Sequence, residues 1–195
     1  MDTLDLNLNK RYTYADYLTW MDDKRRELFD GFIKMMTQAP SRKHQRVSTN
    51  LTSIFWNYLR DKNCEIYHAP SDVRLPKQGA ANIDEAVYTV VQPDIYVVCD
   101  LSKLDDRGCN GAPDFIIEIV SAKNSKRDIK DKFEIYQEHG VQEYWIVNPN
   151  EEYINVFVLD DAGKYQLKGM YASDDKIPVS IFDGKLEIDL SEVFM

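Results

Sequence analysis

Asp94 and Glu118 stand 24 residues apart, the first heading the apolar run Ile95-Tyr96-Val97-Val98, the second inside Phe115-Ile116-Ile117-Glu118-Ile119-Val120. An ionised carboxylate within a buried apolar strand costs several kcal/mol unless it is paired or bound to metal. Glu118 therefore needs a partner, and two readings supply one. In adjacent strands the two acids converge on one hard cation, because carboxylate oxygens suit Mg²⁺ or Mn²⁺. Such an ion lowers the pKa of bound water and stabilises the charge that develops on a phosphodiester under attack. A nearby lysine then orients the water or neutralises the phosphorus centre. The second reading is a structural ion pair, such as Glu118 with Lys132.

The elements that must position these residues are visible in the apolar spacing. Pro93-Asp94 and Pro113-Asp114 open the two apolar runs, which read as central strands covered on both faces. Ser125 is the expected N-cap of a helix reaching about His139 and ended by Gly140. On that helix Asp128, Lys132 and Tyr136 follow at intervals of four and share one face. Upstream, residues 26–29 and 32–35 flank Asp30-Gly31, a two-residue hairpin signal that puts Glu27 on a strand. Between Arg42 and Arg60, Val47, Leu51, Ile54, Phe55, Tyr58 and Leu59 recur at helical intervals. A short helix over 15–21, strands over 64–67, 72–75 and 143–147, and a loop around 78–82 complete this part. Residues 153–159, 165–171 and 181–188 read as antiparallel edge strands. The class is mixed α/β (α+β), a central sheet flanked by helices with added antiparallel strands at both ends, in one domain over 1–195.

With 195 residues, 44% of them hydrophobic, the chain can bury a sizeable core. No apolar run approaches the roughly 18 residues of a membrane-spanning helix. The start MDTLDLNLNK lacks the basic and apolar parts of a secretory signal, so a cytoplasmic protein is expected. Three cysteines, odd in number and widely spaced, suit a reducing compartment better than a disulfide framework, and the three histidines lack zinc-ligand spacing. The formal charge of −9 argues against coating nucleic acid through bulk positive charge. It is unevenly distributed: residues 24–46 carry +5 and residues 121–132 carry +3. An acidic body with a localised basic cleft predicts weak, salt-sensitive binding of a phosphate chain.

Taken in order, Glu27-Leu-Phe-Asp-Gly31, Pro40-Ser41 with His44-Gln45, Asp72-Val-Arg-Leu75, Pro93-Asp94, Pro113-Asp114-Phe-Ile-Ile-Glu118-Ile-Val-Ser121, Asp128-Ile-Lys-Asp-Lys132 with Tyr136, and Gly140-Val-Gln-Glu-Tyr-Trp-Ile-Val-Asn-Pro149 resemble the signature series of the Uma-two family of bacterial restriction endonucleases. The resemblance covers nearly the whole chain. It implies the restriction-endonuclease-like PD-(D/E)xK fold, Mg²⁺- or Mn²⁺-dependent cleavage of DNA and a homodimer, whose contact surface is expected in the carboxyl-terminal strands. It implies Asp94 and Glu118 as metal-binding catalytic acids, and Glu27 as a further acid for a second metal or its water. The residue two beyond Glu118, where the pattern places lysine, is Val120; the family's lysine on the following helix nominates Lys132 instead. Asp72, His44, Lys123 and Lys126 are candidates for supporting or DNA-contacting roles. Phe32 and Ala122 depart from the acidic residue and the proline often found at those places. The alternative is a module on the same fold that binds DNA or protein without turnover.

Overall fold

The computed structural model describes residues 6–36, 39–77, 79, 83–121 and 126–195. The first helix, α1 (Tyr14–Tyr17), is set by a capping box in which Thr13 and Asp16 satisfy each other's backbone N–H groups. The hairpin of β1 (Arg26–Phe29) and β2 (Phe32–Met35) turns through Asp30 and Gly31, both at positive φ (48° and 86°), as a tight right-twisted connection requires. Helix α2 (Arg42–Leu59) starts where Ser41 Oγ accepts from the His44 N–H, and buries the stripe Val47, Leu51, Phe55 and Leu59.

Seven strands follow: β3 (Glu65–His68), β4 (Asp72–Arg74), β5 (Val90–Val91), β6 (Ile95–Val98), β7 (Leu104–Asp105), β8 (Gly108–Asn110) and β9 (Phe115–Ile119). Helix α3 (Lys126–His139) stops at Gly140, whose φ of +81° no helix can continue. The chain then adds β10 (Glu143–Asn148), β11 (Tyr153–Leu159), β12 (Tyr165–Ala172), β13 (Lys176–Pro178), β14 (Glu187–Asp189) and α4 (Leu190–Phe194).

These strands form two six-stranded sheets and a small hairpin. One sheet runs β2-β1-β5-β4-β8-β7; the other runs β12-β11-β10-β9-β6-β3, with β9 and β10 parallel and its other pairs antiparallel. Alternate residues of β6 and β9 face two cores. Ile95, Val97, Phe115 and Ile117 pack with α2 and α4, whereas Tyr96, Val98 and Ile116 pack with α3 and the first sheet. A third cluster, including Tyr14, Leu28 and Val90, covers the outer face of the first sheet. The chain passes from one sheet to the other at Gln92-Pro93, between β5 and β6.

Mixed α/β architecture agrees with expectation, and several particulars differ. At the carboxyl end β11 and β12 extend the central sheet antiparallel as expected, whereas the amino-terminal strands join a full second sheet, because two- and three-residue strands such as β5 and β8 are too short to show a period. Residues 181–188 hold the end of a 3₁₀ turn (Ser180–Phe182) and the start of β14 rather than one strand. Ser125 and most of the loop around 78–82 lie outside the described residues.

The cysteine expectation is overturned: Cys64 and Cys99 form a disulfide across 35 residues of sequence. The register of β3 and β6 pairs Glu65 with Val98, so the residues just beyond, the two cysteines, face each other. Sequence spacing cannot show such a pairing. Cys109 is the free thiol, fully buried, and burial pushes it up to about 11. Denatured without reductant, the protein is expected to present one reactive thiol, at Cys109, and three after reduction. Three before reduction, counted with a chromogenic thiol reagent, would contradict the cross-link.

Candidate active site

Strands β6 and β9 are antiparallel, with Ile95 opposite Ile117 and Tyr96 opposite Ile116. One step further, that register sets Asp94 opposite Glu118. Directly opposed residues project from the same face, here the face shared with Tyr96 and Ile116, toward α3 and the first sheet. Asp94 is fixed on both oxygens: Oδ2 accepts from the Ile119 N–H at 2.7 Å, and Oδ1 lies 3.2 Å from His44 Nε2. Burial disfavours the imidazolium of His44, but Asp94 and then Glu118 outweigh it, so its pKa lies above the ordinary value.

Glu118 finds its partner on α3. Its Oε1 accepts from Lys132 Nζ at 2.8 Å and from the Tyr136 hydroxyl at 2.6 Å. The two donors sit one helical turn apart, which the four-residue spacing made visible. Lys132 Nζ also lies 3.0 Å from Glu27 Oε1, from β1. One ammonium thus stands between carboxylates carried by two different sheets, with side-chain exposures of 14% for Lys132, 12% for Glu118 and 7% for Glu27. Burial alone would depress the lysine, yet Glu118 and Glu27 reverse that and hold its pKa above the ordinary value. Burial raises Glu118, opposed by Lys132 and reinforced by Asp94 and Glu27. Tyr136 is raised far above its usual range by burial and by Glu118, so it remains a donor.

Gln92, absent from the sequence candidates, ties the second tier together. Its N–H donates to Glu27 Oε1 at 2.9 Å, its Nε2 donates to Asp72 Oδ1 at 2.9 Å, and its Oε1 accepts from Arg25 Nη2 at 2.8 Å. A buried amide directly before Pro93-Asp94 was the available signal. Asp72 also accepts from the Tyr14 hydroxyl and, among the described residues, is linked to Glu27 through Gln92. Lys126 is exposed at the start of α3, and Lys123 lies outside the described residues. Glu27, His44, Asp94, Glu118 and Lys132 line one cleft of about 360 Å³.

Among the described residues no group of three or more His, Cys, Asp or Glu side chains is arranged to hold a metal ion. Of the acids lining the cleft, Asp94 and Glu118 are the two directly opposed carboxylates. Mg²⁺ is usually held by one or two carboxylates, with waters and substrate phosphates completing its shell, so this oxygen-only pair fits such an ion and does not fit zinc.

The chain as a whole is similar to known proteins. Residues 14–191 match the model of the Uma2 family, described as "Putative restriction endonuclease". An uncharacterized protein of Synechocystis sp. (strain ATCC 27184 / PCC 6803 / Kazusa), slr1290, is 28% identical over 162 residues, which span 82% of this chain and 80% of that protein. The fold is shared with the crystal structure of "a putative nuclease belonging to DUF820 from Anabaena variabilis ATCC 29413". That structure has a TM-score of 0.71 and 19% identity, and the match covers 94% of this chain and 97% of that one.

Removing the ammonium leaves Glu27 and Glu118 facing each other. Lys132→Met is expected to cost about 3–5 kcal/mol, as breaking a buried pair does, against about 1–2 kcal/mol for Tyr136→Phe, which removes one hydrogen bond. A raised lysine pKa stabilises the fold fully below the unfolded value of 10.5 and loses that effect as the pH rises beyond it, so urea denaturation at neutral pH in chelator reads the whole difference. Equal losses for the two variants would contradict the buried pair.

Proposed function

The chain belongs to the Uma2 family, and from that premise we propose that it is a Mg²⁺- or Mn²⁺-dependent endodeoxyribonuclease that hydrolyses DNA phosphodiester bonds. The observation that carries the reading is the opposed pair Asp94 and Glu118 on the floor of a cleft, with the Lys132 ammonium bonded to one of them. Family and fold link the chain to nuclease-like proteins.

In this reading Asp94 and Glu118 hold the cation. When bound, it supplies positive charge against the scissile phosphate and lowers the pKa of a water. The remaining work belongs to side chains of this protein. Lys132, kept charged by Glu118 and Glu27, directs a fixed ammonium at the phosphate oxygens on which charge accumulates. Glu27 acts chiefly by orienting that lysine, since its Oε1 is engaged by Lys132 and by the Gln92 N–H. His44 and the Ile119 N–H hold the Asp94 carboxylate in one orientation, and Tyr136 does the same for Glu118. Preorganised groups of this kind are not reoriented when the reaction occurs. Cutting both strands of a duplex asks for two such clefts, so the reading includes a homodimer.

The second reading, a binding module without turnover, draws on the absence of a three-donor metal group among the described residues. Plasmid and linear DNA incubated with Mg²⁺, Mn²⁺ or chelator separate the two. Cleavage is expected with either ion, none with chelator, and none for Asp94→Ala or Glu118→Ala. Lys132→Gln, checked for folding by circular dichroism, is expected to lose about 100- to 1000-fold in rate. Cleavage that survives loss of either acid would overturn the site; no cleavage by the unaltered protein would favour the module.

A further inference from the structure

The cations that line the cleft differ in what holds them. Among the described residues the lysines and arginines there are Arg25, Lys34 and Lys132. Lys132 is committed to Glu118 and Glu27, and Lys34 Nζ lies 3.2 Å from Asp131 Oδ2. Arg25 makes no ion pair among the described residues. Its guanidinium is bonded to a neutral group instead, donating from Nε at 3.1 Å and from Nη2 at 2.8 Å to Gln92 Oε1. An amide oxygen accepts such bonds without cancelling charge, so the side chain is held in one orientation and keeps its full positive charge. The residue is exposed, and the outer edge of the guanidinium, formed by Nη1 and the second Nη2 hydrogen, has no protein partner among the described residues.

Strand register explains why this charge faces the site. The Met36 N–H donates to the Arg25 carbonyl at 3.2 Å, which continues the β1–β2 ladder one step beyond the pair Arg26 and Met35. Arg25 therefore projects from the same face as Glu27, two residues on, whose carboxylate engages Lys132. Arg26 projects from the opposite face, is buried, and is spent on Asp22 at 2.5 Å. The Gln92 amide then stands between Arg25 and an acid: its Oε1 takes the guanidinium, while its Nε2 donates to Asp72 Oδ1 at 2.9 Å. Asp72 is thereby bonded to the amide and not to the arginine. A neutral brace in that place keeps one lining cation available to an anion from outside.

We infer that Arg25 is a strand-positioning residue of the cleft: it holds a backbone phosphate of the nucleic acid beside the one that reaches Asp94 and Glu118, and Gln92 aims it. The planar fork of an arginine matches two phosphate oxygens with parallel N–H···O bonds, and the outer edge of Arg25 is the part left for them. The inference rests on the nuclease reading for its substrate and adds the residue that sets where the strand lies. A phosphate contact fixes register without reading bases, so Arg25 contributes affinity and position, not sequence preference.

Fluorescence anisotropy with a short labelled DNA duplex in EDTA, across a salt series, tests this on the full chain without turnover. Arg25→Gln is expected to reduce the slope of log affinity against log salt by about 1, the loss of one phosphate contact. Arg25→Lys keeps the charge and is expected to retain the slope. Lys24→Gln removes a neighbouring exposed charge that does not line the cleft, and is expected to leave the slope unchanged. An unchanged slope in Arg25→Gln, an equal fall in Arg25→Lys or in Lys24→Gln, or no DNA binding in EDTA by the unaltered protein would each overturn the assignment. Failure of the nuclease reading is distinguishable, because it appears as absent cleavage in Mg²⁺ and Mn²⁺ while the metal-free difference between Arg25→Gln and the unaltered protein persists.

Discussion

The ammonium of Lys132, held between Glu118 and Glu27, is the interaction around which the molecule is arranged. Its three participants come from α3, from β9 in one sheet and from β1 in the other, so the ion pair is also the joint between the two sheets. Buried pairs of this kind add little stability over well-packed apolar residues of similar volume, while removing one partner is severe. Apolar residues at these three places would satisfy the fold. Charge there is instead useful to chemistry at the bottom of a cleft, which is why the nuclease reading begins from it.

Around this joint, strand register and the crossing of the chain set the remaining geometry. Asp94 comes opposite Glu118 because β6 and β9 pair Ile95 with Ile117, and a slip of one residue would send the carboxylate to the core packed by α2. Gln92 lies where the chain leaves one sheet for the other, and its amide and N–H tie Arg25, Glu27 and Asp72 into one network. The cleft is therefore framed by the passage between sheets, with the N-terminal turn of α2 on its rim.

Much of this was legible in the amino-acid sequence, and the illegible parts share a physical reason. Asp94 and Glu118 stood out because acids are costly in apolar strands, and Lys132 with Tyr136 because helical spacing puts them on one face. The hairpin at Asp30-Gly31 and the long helix α2 follow from turn chemistry and periodicity. Gln92 did not stand out, because a single amide has no period and the partners Arg25, Glu27 and Asp72 come from two distant segments. His44 stood only as a candidate for a supporting or DNA-contacting role, and its burial against Asp94 across 50 residues of sequence was not legible. The two-residue strand β5 and the pairing of Cys64 with Cys99 depend on tertiary placement alone.

That sulfur link has a topological consequence. Cys64 and Cys99 close a covalent ring that contains Asp72, Gln92 and Asp94 but leaves out Glu27, Glu118 and Lys132. A single backbone break anywhere inside the ring, by a protease for example, leaves two fragments that travel as one molecule until a reductant parts them. Asp94 then stays tethered to the strand that opposes it, whichever side of the break carries it.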